Sequence, residues 1–205
     1  MNIIGITGPS GAGKSLLCVS LREKDIPCID ADEVYHSLLV PPSQCLDALR
    51  EVFGDEVFCS DGSLERDSLA TLVFKSPDKL ELLNCTVLGF VLDKIRSIIR
   101  EYGSRGYSTV AVDAPTLIES GFDKECDTVI SVLASPRSRL ARIMERDAIS
   151  EEKAKERIKA QKSDDFYRES SDIVLQNDGD VEDFKKKIAD LLSAEAFGSR
   201  GEESV

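Results

Sequence analysis

Residues 2–15 read NIIGITGPSGAGKS, and this stretch decides the fold. Its first half, Asn2–Thr7, is a short run of isoleucines and small residues, the composition of a strand buried on both faces of a parallel sheet. Its second half, Gly8-Pro-Ser-Gly-Ala-Gly-Lys-Ser15, satisfies G-x-x-x-x-G-K-[ST] and leads into a helical pattern that starts near Lys14. A strand, a glycine-rich turn and a helix in that order turn consecutive backbone N–H groups inward at a positive helix end, where they hold phosphate. The lysine of such a loop reaches the β- and γ-phosphates, and the hydroxyl residue ligates Mg2+. The expectation is a nucleoside triphosphate site with Lys14 and Ser15 in those roles.

Outward from this stretch, four more strands are expected at Ile26–Asp30, Ser108–Asp113, Asp127–Leu133 and Asp172–Leu175. Helical patterns separate them, which places the chain in the α/β class with right-handed crossovers and a five-stranded parallel sheet. The stretch 40–103 breaks the rhythm, with helices and no obvious strand. Within it Ser76-Pro77 starts a long amphipathic helix on Leu80, Leu83, Val87, Val91, Ile95 and Ile98. The expected organisation is a nucleotide-binding core at 1–39 and 104–193, a helical region at 40–103, and a frayed tail at 194–205. Ser135-Pro136 and Ser150-Glu-Glu begin two further helices.

A formal net charge of −12 over 205 residues argues against a general nucleic-acid or membrane-surface binder, because those partners are polyanions. A triphosphate enzyme of this sign must gather positive charge locally. The N-terminus shows neither a basic leader nor a cleavage site, and no apolar run approaches a membrane span, so a cytoplasmic protein is expected. The six cysteines lie at least ten residues apart and the single histidine is His36. That spacing argues against a zinc site or a disulfide framework and for buried thiols in a reducing compartment.

The gathered charge is expected on the helix after Ser135, where Arg139, Arg142 and Arg146 recur at i, i+3 and i+7 and share a face. Either it faces phosphate as a lid or it is a solvated face with local salt bridges. Two carboxylates stand at strand ends, which face the ligand crevice in such sheets. Asp113 ends an apolar run as a Walker B residue does, a place from which Mg2+ is held through water, or else it caps the next loop. Asp32 is either the acceptor of a hydroxyl proton or the N-cap of the helix EVYHSLL. Asp30 reads as structural, and His36 as a surface or packing residue.

Taken in order, ITGPSGAGKS, IDAD (29–32), FGDEV with DGSLERDSLATLVF (53–74), LLN (82–84), VDAPTLIESG (112–121), RLARIMERD (139–147), RIKAQ (157–161) and DIVLQNDG (172–179) resemble the dephospho-coenzyme A kinase family. The resemblance runs from Ile3 to about Ile188. It implies a P-loop kinase that transfers the ATP γ-phosphoryl group to the ribose 3′-hydroxyl of dephospho-CoA, with ATP and dephospho-CoA as partners and Mg2+ as cofactor. By position it implies Asp32, Lys14 and Arg142 as catalytic residues and Asp32 and Arg66 as substrate contacts. The implied ATP-binding set is Gly8, Ser10, Gly11, Ala12, Gly13, Lys14, Ser15 and Leu16, with Arg142 and Arg146 from the lid. Ser15 and, through water, Asp113 are the implied metal positions. A monomer or small homo-oligomer is expected. Other small-molecule P-loop kinases of the nucleoside or nucleoside monophosphate type, and a weakened regulatory paralogue, are the alternatives.

The chain departs from the family pattern at three places. Leu88-Gly89 stands where the family has His-Pro, Thr116 replaces a leucine although Glu119 is retained, and Leu16 replaces a threonine after the loop serine. A glycine at position 89 predicts a break or a close approach in the long helix.

Overall fold

The computed structural model describes residues 1–74 and 76–193. The expected frayed tail, 194–205, lies outside the described residues. Five strands form one sheet: β1 (Asn2–Thr7), β2 (Cys28–Asp30), β3 (Thr109–Asp113), β4 (Thr128–Leu133) and β5 (Ile173–Gln176), in the order β2-β3-β1-β4-β5. β1 runs parallel to both β3 and β4, and β4 parallel to β5. The register sets Ile6 beside Asp113 on one side and beside Ile130 on the other. β2 begins two residues later than the apolar run predicts. Pro27 has no N–H for a ladder, although its carbonyl still accepts from the Ala111 N–H at 2.8 Å.

The described residues divide into two compact units, one made of Met1–Ile29 with 102–193, the other of Asp30–Glu101. Among the described residues the first unit holds the sheet with α-helices α1 (Lys14–Arg22), α6 (Pro136–Asp147), α7 (Glu151–Lys159), α8 (Asp164–Glu169) and α9 (Val181–Ser193). Ile4 and Ile6 of β1 and Ile130 and Val132 of β4 are fully buried, with Leu17 and Leu21 of α1 and Phe184 of α9 in the same cluster. The serine caps read from the sequence are present. Ser135 accepts from the Ser138 N–H at 3.3 Å with Pro136 at the first helical position, and Ser150 accepts from the Lys153 N–H at 3.4 Å.

The second unit contains α2 (Ala31–Leu38), α3 (Gln44–Phe53), α4 (Arg66–Phe74) and most of α5 (Pro77–Ser104). Leu46, Leu49, Phe53, Leu69, Val73 and Val87 form its core. α2 goes with this unit, which places the boundary after Ile29 rather than after residue 39. The reason is packing: Leu39 is buried in the same cluster, with Tyr35 and Leu38 against it. Apart from Asp30, which ends β2, and one bridge between Phe58 and Leu64, the described residues of this unit form no strand.

Two expectations are corrected. α5 runs unbroken for 28 residues through Gly89, and a Cβ there would meet nothing within 4 Å. The glycine marks neither a break nor a close approach, and the buried seam on either side of it, Val87 and Ile95, holds the helix straight through. The cysteines are free, but only Cys18 and Cys45 are buried, while Cys59 and Cys85 are exposed. No helix among the described residues is long and apolar enough to cross a membrane.

Candidate active site

β1 delivers the chain to the glycine-rich loop, and two glycines there are obligatory. Gly8 has φ +134°, and a Cβ on it would run into the Val132 carbonyl oxygen. Gly13, at φ +107°, is the N-cap of α1, and a Cβ on it would run into the Asn177 side-chain amide. Only glycine lets the backbone turn this tightly against its neighbours. No side chain caps α1, so its N-terminus keeps the partial positive charge that attracts an anion. Lys14 reaches back across the loop, its Nζ donating to the Gly8 carbonyl at 2.8 Å. Ser15 is exposed. Leu16 packs its side chain on the core and gives its N–H to the Gly13 carbonyl at 3.1 Å.

The arginines of α6 close on this loop, so the solvated-face reading is wrong. Arg139 is only 4% exposed, and its Nε donates to the Ser10 carbonyl at 3.1 Å. Arg142 donates through Nη1 to the Gly11 and Ala12 carbonyls at 3.2 and 3.3 Å. Its Nη2 donates to the backbone and side-chain oxygens of Asn177 at 3.0 and 3.3 Å. Arg146 donates from Nη2 to Ser10 Oγ at 3.1 Å and lies exposed at the loop's edge. The Arg142 fork is thus occupied by the loop carbonyls and Asn177. Arg146 is the arginine that stands at the rim.

Three partners of this arrangement carry no obvious signal by themselves. Buried Asn177 donates from Nδ2 to the Ala12 carbonyl at 2.7 Å. Gln161 Oε1 accepts from the Ser10 N–H at 3.2 Å and also from Arg139 Nη2. Asp147 accepts from Arg146 Nε at 2.8 Å and also from Arg157. Burial lowers the Arg139 pKa, with the Asp164 charge acting against it. The Asp147 carboxylate raises that of Arg146, and the Arg146 hydrogen bond holds Asp147 below the usual carboxylate range.

Asp113 ends β3 beside Ile6, and the next residue's N–H bonds to the Ile6 carbonyl at 3.0 Å. Cys18 Sγ donates to Asp113 Oδ2 at 3.6 Å. Contact with Cys28, then burial, then the Asp113 charge all push the Cys18 thiol up, so no thiolate competes there for a cation. Among the described residues no three His, Cys, Asp or Glu side chains gather into a metal cluster. A hydroxyl and a single carboxylate suit Mg2+, which keeps its waters and takes phosphate oxygens in preference to an all-protein cage.

In the second unit the two aspartates before α2 separate cleanly. Asp30 is the N-cap, its Oδ1 accepting from the N–H groups of Asp32 and Glu33 at 2.8 and 3.1 Å. The N-cap reading of Asp32 is thereby excluded. Asp32 sits in the first turn with its side chain exposed. Arg66 begins α4 and is also exposed.

Residues 2–183 match the family described as dephospho-CoA kinase. A dephospho-CoA kinase from Dehalococcoides mccartyi is 36% identical over 195 residues, covering 95% of this chain and 98% of that one. The chain belongs to the dephospho-CoA kinase family. It is accordingly an ATP-dependent phosphotransferase of coenzyme A biosynthesis, with ATP as co-substrate. The crystal structure of TT1252 from Thermus thermophilus superposes with a TM-score of 0.76 at 30% identity, covering 94% of this chain and 96% of that one. The dephospho-CoA kinase from Campylobacter jejuni, at 22% identity and TM-score 0.70 over 96% and 97%, shares the fold. The kinase motifs RIKAQ and DIVLQNDG carry Gln161 and Asn177, which is the signal by which both are found in the sequence.

Proposed function

We propose that the chain transfers the γ-phosphoryl group of ATP to the ribose 3′-hydroxyl of dephospho-CoA, with Asp32 as acceptor of the hydroxyl proton. The family match over residues 2–183 carries the reading, because it spans both the phosphate loop and Asp32. The exposed carboxylate of Asp32, which takes no part in capping α2, supports it.

The loop N–H groups and the α1 dipole hold the triphosphate, while Lys14 exchanges its bond to Gly8 for phosphate oxygens. Arg146 adds charge at the rim. Arg142, Asn177 and Arg139 act as positioning residues that fix the loop carbonyls, so the N–H groups point the other way. Ser15 and, through water, Asp113 are the residues that would hold Mg2+, whose charge offsets that of the phosphate oxygens. Phosphoryl transfer through a loose transition state asks little covalent chemistry of the protein, so positioning and electrostatics supply most of the rate.

Coupled ADP release measured with dephospho-CoA, adenosine, AMP and no acceptor tests the reading. Release that depends on dephospho-CoA and yields the 3′-phosphate is the expected result. Equal release without acceptor, or a preference for AMP, would overturn it.

A further inference from the structure

α5 carries an apolar seam on the side that its own core does not use. Val87 lies in the core of the helical unit, with Leu83, Phe90 and Val91 packed against it. At 3.6 residues per turn the opposite side of the helix reads Leu82, Cys85, Gly89 and Leu92, with Asp78 before them and Arg96 after. The intervals are four, three, four, three and four residues, the spacing by which two helices pack along each other. Leu82 is 46% exposed, Cys85 and Gly89 are exposed, and Leu88, also exposed, widens the seam. A Cβ on Gly89 would meet nothing within 4 Å among the described residues, so the seam is open at its middle. The departure from the family's His-Pro suits this surface: a proline at 89 would take an N–H from the helix, while Leu88 adds apolar area.

The order of side chains along the seam selects its occupant. Turned end for end about the level of Val87, the seam complements itself: Asp78 meets Arg96, Leu82 meets Leu92, and Cys85 fills the space above Gly89. A two-fold axis makes each of these contacts twice, as an isologous interface requires. Parallel pairing would instead set Asp78 on Asp78 and Arg96 on Arg96. That would add to the mutual repulsion of two chains that carry −12 each. Arg96 donates from Nη1 to Asp93 at 2.8 Å, and this surface pair holds the guanidinium at the end of the seam. The matched stretch, 78–96, is about 27 Å long at the helical rise.

We propose that α5 is a dimer interface, pairing antiparallel with α5 of a second copy of this chain. Sedimentation equilibrium of the full chain, from low to high micromolar concentration, tests it. The expected result is a concentration-dependent equilibrium between monomer and dimer. Leu82→Glu sets a charge into the seam twice and should raise the dimer dissociation constant by about a hundredfold or more. Cys85→Lys gives the same readout if circular dichroism shows that Leu82→Glu has lost helix. Asp78→Lys should weaken the dimer by about tenfold or more, and adding Arg96→Glu should restore it. The register is read by a cross-link in a Cys59→Ser background, which removes an exposed thiol outside the seam. There Gly89→Cys sets a thiol opposite Cys85 of the second copy, and mild oxidation with diamide should give a covalent dimer that Cys85→Ser abolishes. A monomer at every concentration would leave the seam to another occupant and overturn the proposal, as would a dimer indifferent to both Leu82→Glu and Cys85→Lys. Weakening by Asp78→Lys that Arg96→Glu does not repair, with no cross-link, would overturn the antiparallel register. None of these readouts needs turnover, so failure of the proposed function leaves the interface tested.

Discussion

Asp30 and Asp32 are two residues apart, and only Asp30 caps α2. Asp30 satisfies two N–H groups at the start of α2, so Asp30→Ala should cost about 1 kcal/mol of stability, read from denaturant unfolding. Asp32→Asn should unfold like the wild type and bind ATP normally, yet lose transfer by ~100-fold or more. Normal turnover in that variant would remove Asp32 from the chemistry. Lys14→Ala should lower kcat far more than it raises KM for ATP, because the contact strengthens as charge develops on the phosphate. Arg142 separates two roles by two readouts. A brace beneath the loop makes Arg142→Lys, which keeps the charge but not the fork, lose about 1–3 kcal/mol of stability and raise KM for ATP. Lowered kcat at unchanged stability would instead give Arg142 a direct place on the transferring phosphate.

At the scale of elements, α5 and the start of α6 make distinct predictions. Gly89 sits inside a 28-residue helix with open space where a side chain would go, so Gly89→Ala should raise stability by ~1 kcal/mol in chemical denaturation. A loss would mean that the helix bends there in solution. The N-terminus of α6 is anchored by Asp178, whose Oδ1 accepts from the Ser135 N–H at 2.6 Å and whose Oδ2 accepts from Gln176 Nε2 at 2.7 Å. These bonds, the Ser135 backbone first, hold its pKa below the ordinary value of 3.8. A carboxylate depressed in the folded state stabilises above its unfolded pKa, and that stabilisation is lost as pH falls through the folded one. The stability difference between wild type and Asp178→Ala should therefore be flat above about pH 5 and shrink below pH 3.8. A difference that does not change with pH would remove the anchor.

For the whole molecule the charge balance sets the terms. The chain carries −12 overall, yet Arg139, Arg142 and Arg146 all converge on one loop, where a polyanion must be held against the global sign. Binding to the folded state alone stabilises it by mass action, about 2.7 kcal/mol at a hundredfold excess over Kd. ATP should accordingly raise the midpoint of thermal unfolding, and Lys14→Ala should erase most of that rise at the same ATP concentration. An equal rise in both proteins would place the nucleotide elsewhere.

How much of this was legible in the chain follows from the range of the forces involved. β1, the loop motif and the serine caps at Ser76, Ser135 and Ser150 are written locally, within a few residues of where they act, and the sequence by itself determined them. The α/β class and the family followed from such local pieces in order. Which of Asp30 and Asp32 caps α2 was not decided by the sequence, because either aspartate satisfies the N-cap pattern and only the backbone's turn at Asp30 chooses. The same holds for Gly89, whose local propensity for a break is outweighed by the packing of Val87 and Ile95 on either side. Arg142 shows the limit most plainly: its partners Gly11 and Ala12 lie 131 and 130 residues away, and Asn177 lies 35 residues away on the other side. The spacing of the arginines determined which face they share. What that face meets was decided only when the sheet order set β4 beside β1 and β5 beside β4, which brings Asn177 against the phosphate loop and gives the guanidinium carbonyls to hold.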